Sequence, residues 1–179
     1  ASDPSWVKKN IAKKFFPNVT KLGRLEGDPP TVSVFNKGKL LGYLFVTKDI
    51  TSSKGYASLT FDMLVGLKLD GKLAGAKVLS HQEPIIGMYT PEGKLILPKF
   101  TDQYKDLDIR IPTKVNLLRT EGSGSIDGIS SATVSAVLFN GAIYNYKSLR
   151  KNLIIYSLFF KKKEFTTESL FLERIYFSF

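Results

Sequence analysis

The chain has 179 residues, 43% hydrophobic and 23% charged, a length and composition that suit one folded domain and exclude a disordered or collagen-like chain. Lysine and arginine outnumber aspartate and glutamate by 26 to 16, and the net charge of +10 favours anionic partners. The absence of cysteine excludes disulfides, thiolate metal sites and iron–sulfur clusters. Most types of zinc site, and every Ser/His/Asp triad, would have to use the single histidine, His81.

The first segment of the chain predicts an amphipathic helix that packs against the rest of the domain. Asp3 and Pro4 suit an N-cap and a first helical residue, and Pro17 suits the helix end. The polar stretch that follows completes an N-terminal unit, residues 1–30, made of this helix and its lead-in. The apolar positions of the helix are Trp6, Val7, Ile11, Phe15 and Phe16.

Two β-hairpins are predicted next, and together they indicate an antiparallel sheet. The first spans residues 31–47, with the turn sequence Asn-Lys-Gly-Lys at its centre. The second spans residues 59–79 and turns at Asp70 and Gly71. Residues 80–93 contain two prolines and two glycines, and we expect an irregular, constrained loop there.

The helices of the domain are predicted in the remaining part. A short helix over residues 99–107 precedes an extended segment, 109–118, and a flexible stretch, 121–127. A second helix begins at Thr133. The fold class is therefore α+β, a twisted antiparallel sheet of hairpins packed against helices. The tail, residues 147–179, mixes lysines with apolar residues in a weaker pattern, and its packing is left open.

Membrane-spanning and nucleic-acid roles find little support in the sequence. The longest apolar run, residues 153–160, is far shorter than the ~20 residues that a spanning helix needs, so we expect no transmembrane segment in this chain. The lysines are not interleaved with aromatic residues, so nucleic acid is not an expected partner. A chain that begins at Ala1 and lacks cysteine suits an exported domain after signal-peptide removal, or a trimmed one.

Hydroxyl residues precede the predicted helix at Thr133. The N–H groups of a helix start are unpaired, and the helix dipole has its positive end there, so a phosphate is stabilised at such a position. Ser130, Ser131 and Thr133 could bond a phosphate, and Ala132 is small enough to let it approach the backbone. Taken alone, these residues are better explained as a helix cap.

The residues around Thr133 resemble the FMN-binding domain family. The segment Asp127 to Ser135, DGISSATVS, is similar to the family motif D-x-x-[ST]-G-A-T-x-[ST], in which the threonine receives FMN through a phosphoester bond. The resemblance implies covalent FMN on Thr133. It also implies a cofactor site that includes Asp127, Ser130, Ser131 and Ala132. Ser131 stands where the family usually has glycine, a change that could reduce recognition by the flavin transferase.

A second loop extends the resemblance, which covers residues 31–146. The segment His81 to Gly87, HQEPIIG, is similar to the family's H-x-E-[T]-P-G-x-G loop in the form of its NosR-like branch. Its predicted cofactor-binding residues are His81, Glu83, Pro84, Gly87 and Met88. His81 and Glu83 could supply hydrogen bonds near the flavin ring, and the others could form a rigid apolar wall. On the residues alone, a capping His81 and a solvated Glu83 explain the loop as well.

The resemblance implies an extracytoplasmic electron-transfer domain, in the periplasm or at the membrane surface, of the NosR-like branch. Such a domain is a redox carrier rather than a turnover enzyme, so no catalytic residue and no metal ligand are assigned. The implied partners are a flavin transferase for maturation and a membrane or periplasmic redox protein. The alternatives are a secreted basic binding module of the same fold without flavin, and a domain with a noncovalent cofactor.

Overall fold

The chain has the α+β fold that the sequence predicts. A computed structural model describes residues 4–50, 61–82, 95–111, 113–116, 125–129 and 132–144. Over these ranges the elements are α1 (Lys9–Ala12), β1 (Lys21–Glu26), β2 (Thr31–Asn36), β3 (Lys39–Val46), α2 (Thr47–Ile50), β4 (Phe61–Lys68), β5 (Leu73–His81), α3 (Ile96–Asp102), β6 (Lys114–Asn116), β7 (Ser125–Asp127) and α4 (Thr133–Tyr144).

Strands β1 to β5 form one antiparallel sheet in which each strand pairs with the next along the chain. Both predicted hairpins are confirmed. Lys37 and Gly38 connect β2 to β3 with positive φ at both residues, the backbone that a tight hairpin turn requires. Gly71, also at positive φ, lies in the turn between β4 and β5. A second, two-stranded sheet pairs β6 with β7 in parallel.

Both faces of the five-stranded sheet are covered. The N-terminal layer, residues 4–20, packs Trp6, Phe15 and Phe16 onto one face, against residues of β2 to β5. The helical layer, which consists of the described residues between 95 and 144, packs onto the other face, mainly against β4 and β5. Because alternate residues of a strand point to opposite faces, β4 contributes Met63 and Val65 to one core and Leu64 to the other.

Three glycines allow the N-terminal layer to lie close to the sheet. We call Gly42, Gly66 and Gly75, in β3, β4 and β5, the glycine shelf. A Cβ at Gly66 would lie 3.2 Å from Phe15 Cβ, and one at Gly75 would lie 2.9 Å from Phe15 Cδ1. A Cβ at Gly42 would overlap a backbone carbonyl of β4 and lie 2.8 Å from Phe16 Cζ. The aromatic rings therefore occupy the space that side chains at these positions would fill.

The N-terminal segment differs from its prediction in local structure but not in role. Helix α1 is a single turn whose N-cap, Lys8, is extended and has no side-chain cap. Pro4 does not begin the helix, because its carbonyl accepts a hydrogen bond from the Val7 N–H in a separate turn. Trp6 and Phe16 are buried, which confirms the predicted packing. The sequence pattern also misses β1, an edge strand in which exposed charged residues separate half-buried ones.

The other boundaries shift by a few residues. Helix α3 begins at Ile96 and ends at Asp102, earlier than predicted, and turns continue to Asp106. Among the described residues of the extended segment predicted over 109–118, the three residues of β6 form a strand. The predicted second helix is confirmed, with its start at Thr133. Among the described helices, none is long and apolar enough to span a bilayer.

Candidate functional site

Thr133 is the first residue of α4, and its side chain is exposed. Among the described residues, neither its hydroxyl nor its backbone N–H has a hydrogen-bond partner, and the N–H of Val134 has none either. The Ala136 N–H donates to the Ala132 carbonyl at 3.0 Å, a regular helical bond in the first turn of α4. A free hydroxyl beside unpaired N–H groups is an arrangement that fits a phosphoester.

An exposed apolar surface adjoins Thr133 on α4. Val134 is 52% exposed and Val137 is 45% exposed. Val137 follows Thr133 by four residues, so the two side chains lie on the same side of the helix. The surface beside the free hydroxyl could therefore be covered by a flat apolar group.

Buried polar contacts fix the opposite side of α4. The Tyr104 hydroxyl donates to Asn140 Oδ1 at 3.1 Å, and Asn140 Nδ2 donates to the Thr113 carbonyl at 2.6 Å. Burial raises the pKa of Tyr104 well above its usual value and that of Tyr144 to about 12, so both hydroxyls stay protonated at neutral pH. Helix α4 is thus bonded to the segments before it, and Thr133 is presented from a rigid element.

The motif residue Asp127 is held by a contact that the sequence does not predict. The side-chain amide of Gln103 accepts the Asp127 N–H at 2.7 Å and donates to the Asp127 carbonyl at 3.1 Å. The next N–H, of Gly128, donates to the Asn116 carbonyl at 3.3 Å. These bonds fix the backbone that leads into α4, while the Asp127 side chain itself is exposed.

His81 is the last residue of β5 and not part of an irregular loop, so the predicted loop begins later than residue 80. Its strand partner is Phe61. Residues directly opposite each other point to the same face of a sheet, and Phe61 belongs to the core under the helical layer. His81 is half-buried, and its Nδ1 atom is buried without a hydrogen-bond partner among the described residues.

One aromatic pair connects the His81 end of the sheet with α4. The rings of Phe61 and Phe139 meet edge to face with centroids 4.8 Å apart. Phe139 follows Thr133 by six residues, which is about 9 Å along a helix axis. Phe61, the strand partner of His81, therefore contacts the helix that begins at Thr133, although His81 and Thr133 belong to separate motifs in the sequence.

The predicted site residues that the structure describes are His81, Asp127, Ala132 and Thr133, and the Ala132 N–H donates to the Ile129 carbonyl at 3.0 Å. Six other predicted site residues lie outside the described part of the chain: Glu83, Pro84, Gly87, Met88, Ser130 and Ser131. Gln103 and Phe139 are missed by the sequence. The apolar pattern at helical spacing could have identified Phe139 as a buried residue of α4. Gln103 has no such signal, because its side chain bonds the backbone of Asp127.

A separate groove of about 740 Å³ runs along β5, between the N-terminal layer and α3. Phe15 and Lys14 line one wall, and residues of α3 such as Ile96 line the other. Neither Thr133 nor His81 lines it, so this groove is distinct from the start of α4. Across the described ranges, no three acidic or histidine side chains converge as a metal site would require.

Comparison with known proteins finds a match between residues 55–146 and the sequence model of the FMN-binding domain family. The match covers more than half of the 179 residues. It includes Asp127 and Thr133 as well as His81, and thus both motifs on which the resemblance rests.

Three individual proteins are also similar to this chain in sequence. The chain is 27% identical over 127 residues to the regulatory protein NosR of Stutzerimonas stutzeri and 30% identical over 127 residues to NosR of Pseudomonas aeruginosa. It is 29% identical over 124 residues to the protein NirI of Paracoccus denitrificans. These alignments cover 68–71% of this chain but only 17% of each relative.

A solved structure shares the fold. The crystal structure of NqrC from Shewanella oneidensis superposes with a TM-score of 0.52 over 88% of this chain and 78% of that one. The two sequences are 14% identical in this comparison. The likeness therefore extends to the arrangement of the elements.

Proposed function

Because this chain belongs to the FMN-binding domain family, we propose that it carries one FMN bonded through its phosphate to Thr133 and serves in electron transfer outside the cytoplasm. The observation that carries the proposal is the exposed hydroxyl at the first residue of α4, which has no hydrogen-bond partner in the described part of the chain. A hydroxyl engaged in a cap would be unavailable for a new bond, and the Thr133 hydroxyl is not engaged by any described residue.

The attachment is a transfer of FMN from FAD. The Thr133 oxygen forms a bond to the phosphorus of the FMN half, the pyrophosphate bond of FAD breaks, and AMP leaves with the bonding electrons. The hydroxyl proton is released to a base of the flavin transferase. Since this chain supplies only the acceptor, it needs an exposed threonine on a fixed backbone, and Gln103 helps to provide that backbone.

Different residues around Thr133 contact the phosphate and the flavin ring of the proposed cofactor. The N–H groups of Thr133 and Val134 can donate to the phosphate, and the side chains of Val134 and Val137 can cover an apolar part of the flavin. When bound, FMN supplies reversible uptake and release of one or two electrons. The protein's task is to orient the ring and limit its contact with water.

A second group of residues completes the proposed site from the other motif. His81 lies on the helical-layer face at the end of β5, and its Nδ1 atom, which no described residue bonds, suits a hydrogen bond to the flavin. Glu83, Pro84, Gly87 and Met88 are assigned to the same site from their motif. Ser130, Ser131 and Ala132 are assigned to the phosphate end, with Asp127 ahead of them.

The location and partners follow from the same reasoning. A noncovalent cofactor that dissociates outside the cytoplasm is lost, whereas a phosphoester removes that equilibrium, so covalent attachment suits an extracytoplasmic carrier. The similarity to NosR and NirI supports a flavin domain of the NosR-like branch that exchanges electrons with a membrane or periplasmic redox protein. A flavin transferase is its maturation partner.

Co-expression with a flavin transferase tests the proposal directly. The purified chain should be yellow, should gain the mass of one FMN less one water, and should keep flavin fluorescence after denaturing electrophoresis. Thr133→Ala should abolish all of these, and Thr133→Ser should retain part of the labelling. An unmodified, colourless wild-type chain would refute the covalent assignment.

Ser131 provides the observation for a second candidate, a domain that binds FMN without a covalent bond. Since glycine is usual at this position, Ser131→Gly should raise the labelled fraction if the serine hinders the transferase. Yellow colour that is lost on denaturation in both proteins would favour the noncovalent alternative. No flavin in either would favour the basic binding module.

A further inference from the structure

The charge of the described residues is divided unevenly between the two faces of the sheet. The N-terminal layer has four lysines, Lys8, Lys9, Lys13 and Lys14, and no carboxylate. The adjoining edge strand β1 adds two further cations before its first carboxylate. The helical layer balances its charges, with four cations and four carboxylates, namely Lys99, Lys105, Arg110 and Lys114 against Asp102, Asp106, Asp108 and Asp127.

The four lysines of the N-terminal layer are exposed, and no ion pair within the described residues involves them. Lys9 Nζ donates to the Thr20 carbonyl at 3.4 Å, which leaves its charge uncompensated. The apolar residues of the same segment, Trp6 and Phe16 among them, point inward to the sheet. The outer surface of this layer is therefore basic and polar.

We propose that this basic N-terminal face docks on an anionic lipid surface, so that the opposite face, with Thr133, points away from the bilayer. Layers pack roughly 10 Å apart, so the start of α4 lies roughly 20 Å from the lysines, across the sheet. The docking itself does not depend on the proposed function, and only the orientation of the flavin rests on it.

The composition of the face favours lipid headgroups over an acidic protein. The centre of a protein interface is depleted in lysine and enriched in aromatic residues. Among the described residues, the exposed large apolar side chains are Leu69, Leu95, Ile111, Val134 and Val137, and none of them lies on the N-terminal layer. A lysine surface without an apolar centre matches the diffuse negative charge of a membrane, where each lysine strengthens binding about fivefold.

Sedimentation of the full chain with vesicles tests the docking. Vesicles of equal parts phosphatidylglycerol and phosphatidylcholine should bind the chain, pure phosphatidylcholine should not, and salt should weaken the binding. The triple variant Lys8→Gln, Lys13→Gln, Lys14→Gln should lose at least tenfold in affinity. The matched variant Lys99→Gln, Lys105→Gln, Lys114→Gln, with the same net charge, should lose less than threefold.

Equal losses in the two triple variants would overturn the proposal, because net charge alone would then explain binding. No binding of the wild-type chain to the anionic vesicles would overturn it too. If soluble polyglutamate binds as tightly as the vesicles and only the first variant weakens it, the face belongs to an acidic protein instead, and the lipid assignment is wrong.

Single cysteines can report the orientation, since the chain has none of its own. Ser5→Cys and Ser125→Cys replace exposed serines in the N-terminal and helical layers. When anionic vesicles are added, acrylamide should quench a fluorescent dye on the Ser5→Cys variant less than before. Quenching of the same dye on the Ser125→Cys variant should not change. The reverse pattern, or equal protection of both, contradicts the proposed orientation. Neither readout requires bound flavin.

Discussion

The side-chain amide of Gln103 is joined to the backbone of Asp127 by two hydrogen bonds, of 2.7 and 3.1 Å. The Gln103 amide offers one acceptor and one donor, which are the two groups that the backbone of a neighbouring strand would offer. It therefore bonds the edge of β7 that does not face β6. Two residues from elements that are distant in sequence therefore set the position of the segment that enters α4. The exposed threonine at the start of α4 depends on that segment.

Replacement of Gln103 by alanine should lower both stability and flavin attachment. The Asp127 N–H and carbonyl would lose their partners, a cost of about 1–3 kcal/mol, which lowers Tm by roughly 2–12 °C for a chain of this size. Differential scanning calorimetry and the fraction of chains labelled with FMN are the measurements. Lys99→Ala, an exposed change on α3, the helix that ends one residue before Gln103, is the control. If the two variants behave alike, the paired bonds do not position the site.

Alanine on the glycine shelf should disturb the N-terminal layer. Gly42→Ala forces a Cβ into a backbone carbonyl and the Phe16 ring, and should cost about 3 kcal/mol or more in urea unfolding. Gly141→Ala is the matched control, because a Cβ there meets nothing within 4 Å and alanine favours a helix. It should stabilise the chain by up to about 1 kcal/mol. A tolerated Gly42→Ala would mean that the layer does not lie on the shelf.

Asp62 should make stability fall as the pH rises. It accepts hydrogen bonds from the Thr47 hydroxyl and the Lys48 N–H, yet burial raises the pKa of its carboxyl, against the lowering effect of the Lys48 bond. A raised folded pKa means that the carboxyl contributes stability below the unfolded pKa, and that this contribution is lost as pH rises through the folded value.

Asp62→Asn should therefore be more stable than the wild type at pH 7, and the gain should vanish below the ordinary pKa of 3.8. Asp106 should change stability with pH in the opposite direction, because its pKa is lowered rather than raised. The hydrogen bond from Lys68 holds its pKa low, so Asp106→Asn should lose stability at neutral pH and recover in acid. Urea unfolding of both variants and of the wild type, from below pH 3.8 to pH 7, gives the free energies of unfolding to compare. If the free energies of the two variants change with pH in the same way, burial does not raise the pKa of Asp62.

The parts of the fold that local chemistry dictates were predictable. Turn residues such as Gly38 and Gly71 adopt the positive φ expected of them, so the hairpins follow from the sequence. Strand β1 was not predictable, since an edge strand with one solvated side lacks a continuous apolar pattern. Asp3 and Pro4 resemble a helix start, but the chain turns before Lys9, because packing of Trp6 outweighs local propensity.

In the site, too, features set by local sequence were predictable, and features set by contacts between distant segments were not. The helix start at Thr133 was predictable, because small hydroxyl residues ahead of an apolar helical pattern are a recognisable signal. The assignment of Thr133 as the flavin acceptor rests on the family resemblance. Gln103 was not predictable, since its contribution consists of side-chain bonds to a backbone 24 residues away. The nearness of the His81 strand to α4 also escapes the sequence, because it depends on contact between the rings of Phe61 and Phe139.

His81→Leu should change the flavin without detaching it. Thr133 holds the phosphate end, so the fraction of FMN that survives denaturation should match the wild type. Loss of one hydrogen bond worth about 0.5–1.5 kcal/mol would shift the two-electron midpoint potential by roughly 10–30 mV, and should move the flavin absorption maximum. Gln82→Ala, a change at the exposed neighbour, should alter neither. Spectroelectrochemical titration of labelled protein measures both quantities, and an unchanged potential in His81→Leu would remove His81 from the flavin site.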